Sequence, residues 1–204
     1  MKNQNGFTII ELVISIFILS IAIIGIFNAF SMMVVLTSNT EDRLTAAYLA
    51  QEGMEVIRNI RDSNWLNADA NTNPDTIVPW DDGLSECEQS TGCEVDYKTT
   101  GPDSLGFNLN PVRPWAEDYL KIDPINGFYN CNTGTTTKFK RKIKIQTASL
   151  PPYVMKVLVQ VSWDEKANIL DSTGHLAGDC GQSNCIQVED TLYNWYNYEF
   201  PVNE

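Results

Sequence analysis

A single carboxylate, Glu11, stands near the start of a stretch that is otherwise almost unbroken apolar from Phe7 to Leu36. At the centre of a membrane helix an acidic side chain costs about 2.5–3.5 kcal/mol. The chemistry this position calls for is therefore a cation to pair with it. Other reactive side chains are few. There are five cysteines, Cys87, Cys93, Cys131, Cys180 and Cys185, and one histidine, His175, in a Ser-Thr-Gly-His-Leu-Ala-Gly stretch that suits a surface loop better than a catalytic base. Acidic residues gather at Asp81-Asp82, Glu86, Glu88 and Asp164-Glu165, as expected of an acidic chain. No Gly-rich phosphate loop, nucleophile elbow or His-Glu-x-x-His pattern occurs. The expectation is a protein that is not an enzyme and uses no cofactor. Asp81 and Asp82 could offer oxygens to Ca²⁺, but their spacing matches no EF-hand loop, and no metal site is expected.

The segment that carries Glu11 is about thirty residues long, or about 45 Å as a helix. A bilayer needs only about twenty apolar residues, so the segment can cross a membrane and still offer apolar surface to something else. Ser15, Ser20, Gly25 and Asn28 interrupt it mildly. Serine hydroxyls can bond back to the preceding turn, whereas Asn28 prefers an interface or a helix–helix contact. The first proline in the chain is Pro74, so no proline kinks this helix. A secretory signal peptide would have a shorter apolar run followed by a small-residue cleavage site. Here the small residue, Gly6, precedes the run, and only Lys2 and the amino terminus are basic. An ordinary single-pass anchor satisfies the hydropathy but leaves Glu11 unexplained.

The order of Gly6, Phe7, Thr8, two apolar residues, Glu11 and a long apolar helix, behind the short polar leader Met1–Asn5, resembles the N-terminus of type IV prepilins and pseudopilins. That resemblance implies cleavage between Gly6 and Phe7 by a membrane-embedded prepilin peptidase, and N-methylation of Phe7 by the same peptidase/methyltransferase. It also implies assembly with other pilin or pseudopilin subunits through the N-terminal helix. Cleavage turns the Phe7 amide nitrogen into a cationic amine. Phe7 and Glu11 stand at i and i+4, on one helix face, and Glu11 lies near the positive end of the helix dipole. The amine of a neighbouring subunit is the second candidate partner, the one that the family supports. Glu11 is thereby expected to set register during assembly.

The elements that present this segment follow from periodicity. Ala46, Leu49, Ala50, Gly53, Ile57 and Ile60 recur at helical spacing, with Val56 beside them and Thr45, Tyr48, Glu52, Glu55 and Asn59 opposite. The helix is expected from Phe7 to near Asp62, on the order of 80 Å, with residues 7–36 as its membrane or fibre-core half and 37–62 as an amphipathic half. Gly53 lets another element approach closely. Residues 63–204 form the head. In it, 63–134 is rich in turn residues with aromatics among them (Trp65, Trp80, Phe107, Trp115, Tyr119, Phe128, Tyr129), and one short helix is expected near Trp115–Leu120. Residues 135–204 carry the sheet. Phe139, Arg141, Ile143 and Ile145 alternate with Lys140, Lys142, Lys144 and Gln146, and Met155 to Trp163 alternates likewise. Leu150-Pro151-Pro152 is the connecting turn, and a third strand covers Ile186 to about Leu192. The fold class is α+β, a long N-terminal helix under an antiparallel sheet. The order of strands also resembles minor pilins and pseudopilins of the V/J type.

Cys87/Cys93 and Cys180/Cys185 could each staple a small loop in an oxidising compartment, leaving Cys131 over. Other connectivities, free thiols and a metal role stay open. The formal net charge of −12 argues against bulk nucleic-acid binding. Against it stands a local basic strip, Lys138, Lys140, Arg141, Lys142 and Lys144 around Phe139. As a solvated strand face it would also protect a sheet edge. As a DNA-contacting strip it would serve uptake, and nucleic acid is the less favoured partner. The expected protein is a structural subunit, minor pilin or pseudopilin, of a type IV pilus-like fibre that supports adhesion, motility, secretion or DNA uptake. It begins as a single-pass protein of the inner membrane with an extracytoplasmic head. The alternative is a membrane-anchored binding module that never polymerises.

Overall fold

The computed structural model describes residues 8–70, 79–101, 110–146, 153–163, 180 and 184–195. It divides into two compact units, Met1–Asp42 and Arg43–Glu204. Helix α1 spans Ile9–Ala70. It therefore continues two turns past Asp62, where the apolar periodicity alone places its end. The extension is held by side chains that the periodicity does not count: Asn64 and Trp65 are buried, and the buried Arg61 one turn earlier stacks over the Trp65 ring.

In the first unit the described chain is helical from Ile9 onward, and its apolar side chains are exposed throughout. By length and composition this helix is long and apolar enough to cross a membrane. The serine hydroxyls of its apolar stretch are satisfied internally. Ser15 Oγ donates to the Glu11 carbonyl at 2.7 Å, Ser20 to Ile16 at 2.8 Å, and Ser31 to Phe27 at 3.0 Å. That back-bonding lets serine sit in an apolar helix at little cost.

In the second unit the apolar stripe of α1 (Ala46, Leu49, Ala50, Met54, Ile57, Ile60) is buried in one core with the sheet. The main sheet is five-stranded, in the order β2 (Arg113–Pro114), β1 (Cys93–Glu94), β6 (Phe139–Gln146), β7 (Val154–Trp163), β8 (Cys185–Tyr193). Its long strands are β6 (Phe139–Gln146), β7 (Val154–Trp163) and β8 (Cys185–Tyr193), all antiparallel. Register puts Phe139 opposite Trp163, Arg141 opposite Val161, Ile143 opposite Val159 and Ile145 opposite Val157. Since side chains alternate between faces, these residues share the buried face, while Lys140, Lys142 and Lys144 take the other. The edge is extended by β1 (Cys93–Glu94) and β2 (Arg113–Pro114). The close approach expected at Gly53 is present. A Cβ there would lie 3.1 Å from Arg141 Cδ, 3.2 Å from Val159 Cγ1 and 3.3 Å from Ile143 Cδ1.

The region between helix and sheet is more ordered than its turn-rich composition suggests. It contains a short helix α2 (Ser85–Glu88) and a small sheet of β3 (Lys121–Ile122), β4 (Tyr129–Asn130) and β5 (Thr135–Thr136), in the order β4-β3-β5. The helix expected near Trp115–Leu120 is not there. Residues 115–120 form no regular element, and Glu117 adopts φ 65°. Trp115 instead bonds through its backbone N–H to the Gly92 carbonyl at 3.0 Å. Gly134, at φ 118°, sits so close to β3 that a Cβ would fall 2.0 Å from the Ile122 oxygen, so only glycine fits that turn. Phe107, the Leu150-Pro151-Pro152 turn, Asp164-Glu165 and His175 lie outside the described residues.

Candidate assembly site

Glu11 lies in the first turn of α1, and its residue is exposed. Thr8 begins the helical ladder, its carbonyl accepting from the Leu12 N–H at 3.3 Å. The carboxylate is thus within one turn of the unpaired N–H groups at a helix start, where a negative charge is stabilised. Among the described residues Glu11 has no ion-pair partner. Gly6 and Phe7, the expected cleavage and methylation positions, lie outside the described residues. What the local geometry offers is an exposed anionic side chain on an apolar helix, free to accept a cation from outside the helix.

Disulfides clasp the head. Cys87 and Cys93 are bonded, with Cα atoms 4.5 Å apart, and both are fully buried. The bond ties α2 to the start of β1. Cys180 and Cys185 are bonded, with Cα atoms 5.3 Å apart. Cys131 is free and buried, and burial pushes its thiol up to about 12. It is therefore a neutral, unreactive thiol at physiological pH.

The structure divides the basic strip. Lys140 Nζ lies 4.4 Å from the Tyr119 ring centroid and Lys142 Nζ 4.0 Å from that of Trp115, while Lys138 stands 5.8 Å from the Phe139 ring. These are cation–π distances; the Lys140 and Lys142 ammonium groups cover aromatic surface on the outer face of β6, whereas Phe139 itself belongs to the buried face. Arg141 is not part of the strip. Strand alternation turns it to the opposite face, where it is 2 % exposed. Its guanidinium donates to the Leu49 carbonyl of α1 at 2.9 Å and to the Val95 carbonyl at 2.6 Å, and it lies 3.3 Å from Glu52. It holds helix, β6 and the chain after β1 together.

Other charged groups position the head in ways the sequence did not announce. Asp190 occupies an inward register on β8, opposite Val157, and Arg58 of α1 meets it at 2.7 Å. Trp65 donates from Nε1 to Asn194 at 3.0 Å and packs edge-on against Trp195 at 5.0 Å, with Arg61 stacked 4.5 Å over its ring. Asp96, 3 % exposed, accepts from the Cys131 N–H at 3.1 Å and the Lys98 N–H at 2.9 Å. Arg113 lies 3.5 Å from Glu94 and 3.8 Å from Asp96. Burial pushes the Glu94 carboxyl above its ordinary range, against the opposing pull of Arg113. The parity of Asp190 and Arg141 within their strands was the available signal for two of these contacts. No sequence signal marks Arg113 or Asp96. Asn64, fully buried, donates to the Trp80 and Asp82 carbonyls at 3.2 and 3.0 Å, fixing the turn that carries Asp81 and Asp82. Among the described residues no group of three metal-ligating side chains forms.

The architecture so far is that of an α+β head on a helix whose first part is apolar enough for a membrane. Residues 1–27 match the family model of the prokaryotic N-terminal methylation motif. The match supports a type IV pilin-like protein, processed as a prepilin. No curated protein and no solved structure matches the chain.

Proposed function

We propose that the chain is a structural subunit, of the minor pilin or pseudopilin kind, in a type IV pilus-like fibre. The single observation that carries this is the N-terminal methylation motif over residues 1–27, with Glu11 in the first turn of an exposed apolar helix. A prepilin peptidase would cut between Gly6 and Phe7, and the new Phe7 amine, methylated, supplies the cation that Glu11 lacks. The apolar helix holds the precursor in the inner membrane with the head outside, and then packs among other subunits in the fibre. The V/J-type kinship rests on the three long antiparallel strands and on their order after the loop-rich region. No catalysis is assigned. The cation–π cover over Lys140 and Lys142 and the burial of Arg141 favour a structural role for β6 over a nucleic-acid one. Glu11→Ala tests assembly directly. The variant is expected to insert and be cleaved like the wild type but to be depleted from sheared surface fibres, and wild-type levels in the fibres would refute the role of Glu11.

A further inference from the structure

Between Leu12 and Leu36 the polar side chains of α1 are Ser15, Ser20, Asn28 and Ser31. The three serines each donate to the carbonyl one turn back. Asn28 does not share that solution. Its carboxamide is exposed and has no hydrogen-bond partner among the described residues. The midpoint of residues 12–36 is position 24, so Asn28 stands only about 6 Å along the axis from it. The hydrocarbon core extends about 15 Å to either side of its midplane. Asn28 is therefore inside the hydrocarbon, where water cannot satisfy it.

We infer that Asn28 is an interhelical contact site, occupied in the membrane by Asn28 of a second copy of this chain. This rests on the membrane-anchored precursor proposed above and goes beyond it, because it concerns the subunit before it enters a fibre. Self-complementarity selects the occupant. A carboxamide carries both donors and acceptors, so two of them exchange a reciprocal pair of hydrogen bonds. Two copies inserted with the same topology place the same residue at the same depth, and a two-fold axis along the membrane normal brings each to its mate. The backbone permits the approach. Gly25 is one turn before Asn28, and Ala29 follows Gly25 by four residues, a small-xxx-small pair bordering the carboxamide. A Cβ at Gly25 would meet nothing within 4 Å, so the chain's own structure leaves that side of the helix open.

The test is sedimentation equilibrium of the full-length chain in detergent micelles, with carbonate extraction of the same protein from cell membranes. The wild type is expected to dimerise, Asn28→Leu to do so about three- to thirty-fold more weakly, and Asn28→Gln and Ser31→Ala to stay near the wild type. Wild-type monomers, or Asn28→Leu dimers of undiminished strength, overturn the contact at Asn28. Release of the wild type by carbonate overturns the membrane anchoring itself, whereas a carbonate-resistant monomer overturns the dimer alone.

Discussion

Arg141 is where charge and position disagree most, and its replacement separates a core clasp from a surface strip. The guanidinium is 2 % exposed and donates to two backbone carbonyls, Leu49 and Val95. Arg141→Ala removes hydrogen bonds from a charged donor, each worth about 1.5–3 kcal/mol. It also leaves the Val95 carbonyl without that donor and opens a void beside Gly53. Glu52 keeps about a third of its side chain exposed and can rehydrate, so it adds little. Breaking a buried charged contact costs about 3–5 kcal/mol in comparable settings, and that is the expected loss. For a domain of about 150–250 residues this lowers the midpoint by about 6–20 °C. Lys142→Ala, one residue along the same strand, loses a half-exposed cation–π contact worth about 0.5–1 kcal/mol. The assay is thermal unfolding of the full chain in mild detergent, followed by tryptophan fluorescence. Every tryptophan lies at or beyond Trp65, so the signal reports on the head. Equal, small shifts for Arg141→Ala and Lys142→Ala would refute the clasp and return Arg141 to the strip.

Gly53→Val should destabilise the head by about 1–3 kcal/mol, because its side chain enters a space already bounded at 3.1–3.3 Å by Arg141, Val159 and Ile143; a denaturant midpoint at or above wild type would contradict the packing. Burial raises the folded-state pKa of Glu94. Its contribution to stability is therefore full below the unfolded value of 4.5 and is lost as pH rises through the folded value. Glu94→Gln should flatten that decline when unfolding is compared from about pH 4 to about pH 8, and an unchanged pH slope would show that Glu94 does not set it.

Period-two alternation located β6 and β7 to within about a residue, because each has a buried face that fixes parity, and the third strand, expected over Ile186 to about Leu192, is β8 (Cys185–Tyr193). The same parity placed Arg141 with Phe139, Ile143 and Ile145, and its charge alone grouped it with the lysines. The buried face won, because two carbonyls and Glu52 were waiting there. The apolar stripe of α1 and the close approach at Gly53 were legible for the same reason. The end of α1 was not, since Arg61, Asn64 and Trp65 are buried through polar and stacking contacts rather than an apolar period. Strands β1 to β5 are two residues each, too short to show any period, and they exist only because distant segments pair with them. The helix expected near Trp115–Leu120 failed there too: Trp115 and Tyr119 lie against Lys142 and Lys140 of β6 in irregular chain. Glu11 was legible as a charge in need of a partner, and among the described residues it has none.

The most direct measurement is therefore the N-terminus of the protein in sheared surface fibres, read by mass spectrometry. The account predicts a chain that begins with N-methylated Phe7 followed by Thr8-Ile9-Ile10-Glu11. Recovery only from membranes, with Met1 retained and the Gly6–Phe7 bond intact, would contradict it.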